Sequence, residues 1–432
     1  MKSLLDLISS LRLPTQQAIA GPSVSTTDDS ALAVPLMRRT PNNPPQTPSE
    51  PILQISCPDP TAEDALRDQH QNRAQRLVRQ ERWKDLSAAI RKADEDRAMT
   101  PGSMPLTDLI CYGARADVVM AVEHALLDGN PAPNAPLLTG IEALEHVLAE
   151  NKGDYAIACV VAQAHMDIGW AWRGTGWDVE VPPRNRDAFA AHFDRARDIM
   201  APYFAAKLKS PLVAATCCAL LGGLDADARM VADRYEALID LNPRNTRAMR
   251  AMGNHLLPRW YGSYECLELE ARRIAARTAS IWGAGGYTWV MFDAIGYDDK
   301  ACANLDLPFF IEGLRDILER TSDPYTVNLL AAYCANSIGQ TFSGNDLADS
   351  NRAAIADCAR WIVRDHLTEL HPMIWAHAAR GFDNNLRVNS LKRFAASGRD
   401  DAMRIITSLF QGEIDAGEQI LFTDPGIEAA TG

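Results

Sequence analysis

The sequence lacks long hydrophobic runs, an excess of positive charge and paired-cysteine motifs. No stretch approaches the roughly 18 apolar residues that cross a bilayer, and Asp6 interrupts the apolar N-terminus, so we expect neither a membrane span nor a secretory signal. The formal net charge of −13 disfavours general nucleic-acid binding, since phosphate contacts need clustered cations. Nine scattered cysteines without a C-x-x-C spacing are typical of a reducing compartment. The expected location is therefore the cytoplasm.

Catalytic and metal-binding motifs are absent as well. The sequence contains no H-E-x-x-H, G-x-x-x-x-G-K-[ST], G-x-S-x-G or EF-hand pattern. His366, His371 and His377 have no carboxylate or thiol at ligand spacing around all three, and Pro372 breaks the helical register between them. The sequence accordingly predicts no cofactor and no metal site.

A proline-rich segment opens the chain. Residues 14–60 hold ten of the 25 prolines and few aromatics, which predicts disorder over residues 1–60. An apolar stripe precedes the prolines at Leu4, Leu5, Ile8 and Leu11. This stripe is either a short docking helix or a frayed end.

From Thr61 onward the apolar residues recur at helical spacing. Thr61 and Asp64 have the spacing of a capping box with Asp in place of Glu, and alternation of the strand type is nearly absent. The predicted helices are 61–82, 84–98, 114–128, 138–151, 154–173, 185–206, 211–221, 224–239, 245–257, 264–279, 286–296, 307–318, 324–339, 350–370, 384–396 and 400–416. The fold class is therefore all-α: one helical array over 61–432, with a candidate division near 300–323, built as a bundle, a solenoid or a toroid.

One stretch resembles the tetratricopeptide repeat. Tyr235 lies on one helix, Pro243 follows in the turn, and Gly253 lies on the next helix, as in that family. Met249 stands where the family usually has Trp, and Leu256 where it has Tyr. With a weaker helix-break-helix stretch over 140–169, the resemblance covers about 60 residues. It implies a helix-pair array, a solenoid or curved superhelix, that binds a protein or peptide.

A second resemblance concerns the segment Pro258-Arg259-Trp260-Tyr261-Gly262-Ser263. It is similar to a segment of uncharacterised bacterial proteins with tetratricopeptide-like architecture. That resemblance implies no activity.

Aromatic residues concentrate in three glycine-punctuated segments at predicted helix ends: 169–177, 259–264 and 287–289. Loops of a helical array gather on one edge, where they are suited to binding. The predicted partner contacts are Trp170, Arg173, Trp177, Arg259, Trp260, Tyr261, Tyr264 and Trp289. The alternative is that these aromatics only fill irregular helix ends.

Helical spacing places Gln163, Asp167 and Trp170 on one stripe, opposite an apolar stripe. We therefore predict a non-enzymatic scaffold or adaptor with an aromatic groove. The alternative is an enzyme of helical-toroid type that acts on a small molecule or sugar in the same cleft, with acids such as Asp167 or Asp293 as catalysts. Oligomeric state is not predicted.

Overall fold

The computed structural model describes residues 52–127, 131, 135, 137–176, 178–205, 208–339, 342–381, 388, 390–423 and 426–431. Within these residues the chain is all-α, as predicted, with 18 α-helices and three short strands. The first nine helices are α1 (Ala62–Arg79), α2 (Trp83–Glu95), α3 (Leu106–Ala125), α4 (Thr139–Glu150), α5 (Tyr155–Arg173), α6 (Pro183–Ala205), α7 (Pro211–Ala219), α8 (Ala228–Leu241) and α9 (Thr246–His255).

The remaining helices are α10 (Tyr264–Trp282), α11 (Gly285–Tyr297), α12 (Asp299–Ala303), α13 (Leu307–Arg320), α14 (Pro324–Ala335), α15 (Asp346–His366), α16 (Pro372–Arg380), α17 (Leu391–Leu409) and α18 (Gln411–Asp415). Strands β1 (Leu53–Gln54), β2 (Glu418–Thr423) and β3 (Gly426–Thr431) form one small sheet. No described helix is long and apolar enough to cross a membrane.

Side-chain caps explain where many of these helices begin. The Thr61 hydroxyl accepts a hydrogen bond from the Asp64 amide at 3.1 Å, as the capping pattern predicts. The Asp64 carboxylate accepts from the Thr61 hydroxyl at 2.7 Å. Asp154 caps α5 by accepting from the Ala156 amide at 2.9 Å. Each cap satisfies amide groups that have no partner inside the helix.

The structure differs from the predictions at both ends of the chain. Residues 53–54, predicted to be disordered, form β1, which pairs in parallel with β2 through Leu53–Ile420 and Gln54–Leu421. Buried Leu53 joins the hydrophobic core, which offsets the cost of ordering this strand. β2 and β3 were missed because an isolated hairpin gives little periodic signal. The predicted apolar stripe, with all of residues 1–51, lies outside the described residues.

Helix α16 was also missed. Pro372 indicated a break, whereas the structure places it in the first turn of α16, where a missing amide costs nothing. The predicted helices 384–396 and 400–416 are instead the single long helix α17 and the short α18.

Two large hydrophobic clusters and a small one of Met104 and Leu109 fill the interior of the described chain. The first large cluster contains residues from α1 to Leu220, and the second contains Leu53 and residues from Cys218 to β2. The second cluster continues through Cys302, Phe310 and Leu318, so the core has no break at 300–323.

Helices α1, α3, α5 and α7 form a row, with α2, α4 and α6 packed against it. The direction of these helices follows from two contacts. Gln71 on α1 lies against Gly113 on α3, and Arg79, which is farther along α1, donates to Asp117, which is farther along α3. α1 and α3 are therefore parallel. Parallel neighbours separated by one helix are what a helix-pair array requires.

The second half of the chain departs from this pattern. Gly253 meets the Val290 carbonyl and Arg250 bonds Asp293, so α9 and α11 run antiparallel. Thr288 donates to the Phe310 carbonyl across the next antiparallel pair, α11 and α13. The stretch that carries the repeat resemblance thus lies where the two arrangements meet.

Candidate functional site

A cavity of about 110 Å³ opens between the row of helices and the second half of the chain. Its walls come from α3, α5, α7, α8 and α9. The lining residues are Asp108, Tyr112, Arg115, Gln163, Met166, Asp167, Trp170, Ala215, Cys218, Ala219, Tyr235, Leu238, Asn245, Arg247, Ala248 and Ala251. The predicted stripe of Gln163, Asp167 and Trp170 faces this cavity.

A fixed polar network forms one wall. Arg115 donates from Nε to Asp167 at 2.7 Å and from Nη1 to Gln163 at 3.0 Å. Gln163 in turn donates to the Thr216 hydroxyl at 3.0 Å. The Arg115 side chain is only 7 % exposed, and a buried guanidinium needs such partners to offset its desolvation. This wall therefore holds its shape and its charges neutralise each other.

Asp108 and Arg247 were missed by the sequence analysis and lie on facing elements, α3 and α9. Burial raises the pKa of Asp108, and the charges of Arg247 and then Arg115 act against that shift. Burial also lowers the pKa of Arg247. The charge of Asp108 acts against that shift, and the like charges of Arg67 and Arg250 add to it. Nothing in the spacing of residues 108 and 247 indicates that α3 and α9 share a cavity.

Trp170 lines the cavity and packs against two other rings. Its ring meets Phe189 and Phe193 edge-on, with centroids 4.9 and 5.7 Å away. A Cβ added to Gly222 would lie 2.8 Å from the Trp170 ring, so the turn Leu220–Gly223 packs directly on it. The Arg173 guanidinium lies 5.8 Å from the ring centroid, within the range of a cation–π contact. Trp170 is half-buried, as a side chain shared by core and surface would be.

The predicted segment 259–264 contacts the same turn. Tyr261 donates its hydroxyl to the Leu221 carbonyl. Its ring lies 5.8 Å from Trp260, and both rings contact His255. The structure thus brings Trp170 and Tyr261 into contact with the same turn, Leu220–Gly223.

Arg259 lies next to this group, with its guanidinium 4.4 Å above the Tyr297 ring. Arg259, Trp260 and Tyr261 are all half-buried. Behind them, His255 accepts or donates a 2.9 Å hydrogen bond with the Tyr235 hydroxyl, and Tyr235 lines the cavity. A continuous set of ring contacts therefore joins the loop to the cavity wall.

Other predicted site residues lie apart. Tyr264 donates to Asp298 at 3.2 Å. Trp289 is 1 % exposed, because α11 is packed against several other helices, so it is a core residue and not a surface contact. Its ring contacts Trp282. Trp177 lies outside the described residues.

The acids predicted for the enzymatic alternative are both ion-paired. Asp293 accepts from Arg250 at 2.8 Å, and Asp167 accepts from Arg115. Only Asp167 lines the cavity. Among the described residues, no group of three histidines, cysteines or acids is placed to hold a metal ion.

Comparison with known proteins gives no relative. No family model, curated protein sequence or solved structure matches this chain.

Proposed function

We propose that this protein is a non-enzymatic scaffold or adaptor of the cytoplasm, with the helix-pair character of a tetratricopeptide-like protein. It binds a protein or peptide partner on the aromatic loop surface, defined as Trp170, Arg173, Arg259, Trp260 and Tyr261. The observation that carries the proposal is the convergence of two distant segments on the turn Leu220–Gly223. The nine free cysteines support a reducing location.

The chemistry of this surface suits recognition. Trp, Tyr and Arg are the residues that most often dominate the energy of protein interfaces. Here the rings are held by their neighbours, as Trp170 is by Phe189 and Phe193. Fixed side chains lose little conformational entropy on binding, so more of the contact energy appears as affinity.

The experiment is affinity capture from native lysate with the full chain and with a Trp260→Ala, Arg173→Ala variant. Half-buried Trp361 on α15 lies outside this surface, so Trp361→Ala is the matched control. Equal helicity by circular dichroism shows that all three proteins are folded. We expect a partner captured by the wild type and the control, and affinity weakened at least 10-fold in the double variant. Identical captured proteins for all three would contradict the proposal.

A second candidate is an enzyme that acts on a small molecule or sugar in the cavity. One observation favours it: Asp108 lines the cavity and its pKa is raised by burial, which is a property of general acids. The catalyst would then be Asp108, in place of the ion-paired Asp167 or Asp293. Release of product by the wild type and its loss in Asp108→Asn would support this candidate.

A further inference from the structure

A second and larger opening, a groove of about 770 Å³, lies between the first three helices. Helices α1 and α2 line its sides over about two turns each, and α3 adds Leu106 and Ile110. None of the lining residues lines the smaller cavity or belongs to the aromatic loop surface. The groove is therefore a separate surface of the molecule.

The floor of the groove is apolar. Leu77, Ala93 and Ile110 each line it and are 7 % exposed, so they belong to the hydrophobic core and show only a small part of their surface. Half-buried Ala89 and exposed Ala88 extend the apolar lining along α2. Because alanine is short, a further helix could approach α2 closely here and pack between α1 and α2.

The α2 side of the groove carries charges that neutralise each other. Arg82, just before α2, lies 2.7 Å from Asp85, and Lys92 lies 2.7 Å from Asp96. All four side chains are more than half exposed. This side therefore adds polarity without adding net charge.

The α1 side carries the excess positive charge. Arg73 and Arg76 line the groove and are exposed, and neither makes an ion pair with another described residue. Arg76 donates from Nε to the Asn72 carbonyl at 3.3 Å. Burial, and then the charge of Arg73, lowers the pKa of the neighbouring His70. On a chain with a formal net charge of −13, this edge is a local region of the opposite sign.

We infer that the groove binds an acidic amphipathic helix of a partner protein, with its apolar stripe on the floor and its carboxylates against Arg73 and Arg76. Apolar residues at i, i+3 or i+4, and i+7 span about 10.5 Å of a helix at roughly 1.5 Å per residue. From Asp85 to Ala93, the groove follows α2 for about 12 Å by the same rise. The apolar floor supplies most of the affinity, and the arginines select the charge of the partner.

This inference goes beyond the proposed function, because the groove shares no residue with the aromatic loop surface. A nucleic acid fits the groove less well, since phosphates would meet the arginines but leave the leucine and alanine floor uncovered. An acidic helix satisfies both parts of the surface.

Fluorescence anisotropy on the full chain tests the inference with a labelled synthetic peptide of about 16 residues, long enough to form a helix. The peptide has leucines along one helical face, glutamates on both flanks of that face, and alanine and glutamine elsewhere. One control peptide has lysine in place of glutamate, and another has the same residues shuffled so that the leucines share no face. We expect micromolar binding of the acidic peptide, and binding of each control at least about 10-fold weaker.

Three results would overturn the inference. They are no binding of the acidic peptide at about 1 mM, equal binding of either control peptide, and tighter binding of a labelled single-stranded oligonucleotide than of the acidic peptide. The last result would instead identify the α1 side as a phosphate-binding edge.

Charge reversal locates the arginine contacts. Arg73→Glu, Arg76→Glu should weaken binding of the acidic peptide at least about 10-fold, because attraction becomes repulsion. Lys84→Glu, Lys152→Glu makes the same change in charge at two exposed positions outside the groove and should leave binding unchanged. Equal binding by both double variants would contradict the placement of the peptide.

A second pair of variants tests the floor. Ala88→Glu places a charge in the apolar lining at an exposed position, so it should leave the fold intact and weaken binding at least about 10-fold. Ala65→Glu makes the same change at an exposed position of α1 outside the groove and should have no effect. Circular dichroism confirms equal helicity. Unchanged binding by Ala88→Glu would contradict the inference.

The two proposals fail separately. Trp260→Ala should abolish partner capture and leave peptide binding unchanged, since Trp260 does not line the groove. Binding of the acidic peptide without any captured protein would reject only the scaffold proposal. A captured partner without binding of the acidic peptide would reject only the inference about the groove.

Discussion

His255 is a buried histidine whose protonation opposes folding. It is 4 % exposed, and the groups around it are Tyr235, Trp260, Tyr261 and the cationic Arg259. Burial, followed by the charge of Arg259, lowers its pKa from 6.5 to about 4. The folded protein therefore holds His255 neutral at pH values where the unfolded chain binds a proton.

This shift predicts acid destabilisation in a defined window. The stabilising contribution is complete above pH 6.5 and is lost as the pH falls toward about 4, by roughly 3 kcal/mol for this residue. Urea unfolding at pH 7.0 and pH 4.5 measures the loss. His255→Asn should show a smaller loss than the wild type, while His146→Gln, on an exposed position of α4, should match the wild type. An equal loss of unfolding free energy between pH 7.0 and pH 4.5 in all three proteins would mean that His255 is not held neutral in the folded state.

The residues of the candidate site were only partly predictable. Helical spacing alone placed Asp167 and Trp170 on a polar stripe, and the stripe lines the cavity. Asp108 and Arg247 had no such signal, because they are 139 positions apart and meet only through the packing of α3 and α9. Trp289 was predicted to contact a partner, because sequence spacing does not reveal how many helices surround α11.

At the scale of elements, glycine sets how closely helices approach. A Cβ on Gly253 would lie 1.9 Å from the Val290 carbonyl oxygen, which is backbone and cannot rotate away. Gly253→Ala should therefore force α9 from α11 and lower the free energy of unfolding by about 1 to 3 kcal/mol. Urea unfolding measures this change.

Gly412 on α18 provides the matched control. No atom lies within 4 Å of the Cβ that Gly412→Ala would add, so that variant should be neutral or more stable by about 0.5 to 1 kcal/mol. A Gly253→Ala protein as stable as the wild type would show that α9 and α11 do not pack this closely.

Individual helices were predictable where apolar periodicity was strong, as for α5, predicted at 154–173 and observed at Tyr155–Arg173. Their mutual orientation was not. Both α3 and α11 are rich in buried apolar residues, yet α3 has a parallel neighbour in α1 and α11 has antiparallel ones. Periodicity records which face is buried and not what covers it.

At the scale of the whole molecule, the beginning of the described chain contacts its later parts. β1 pairs with β2, and the Leu370 amide donates to the Ser56 carbonyl at 2.8 Å. The Arg67 guanidinium on α1 lies 4.4 Å from the centre of the Tyr325 ring on α14. The helical array therefore curls back on itself, and its two ends should unfold together.

Glu63 binds Arg67, the α1 residue that contacts Tyr325. It accepts from Arg67 at 2.7 Å, from the Thr100 hydroxyl at 2.6 Å and from the Gly102 amide at 3.0 Å. The Glu63 and Arg67 side chains are 3 % and 2 % exposed, so the pair is buried. Glu63→Gln leaves the Arg67 charge buried without its counter-ion, a change that typically costs about 3 to 5 kcal/mol. Asp96→Asn breaks the exposed pair with Lys92 and should cost less than about 1 kcal/mol.

Hydrogen exchange shows whether this loss of stability reaches α14, which contacts α1 through Arg67 and Tyr325. If the ends are one cooperative unit, Glu63→Gln lowers the protection of amides in α14 as well as in α1, although the substitution is on α1 alone. Asp96→Asn should leave both helices protected. Loss of protection confined to α1 would mean that the contact with Tyr325 does not couple the ends, and that the array is stable without closing on itself.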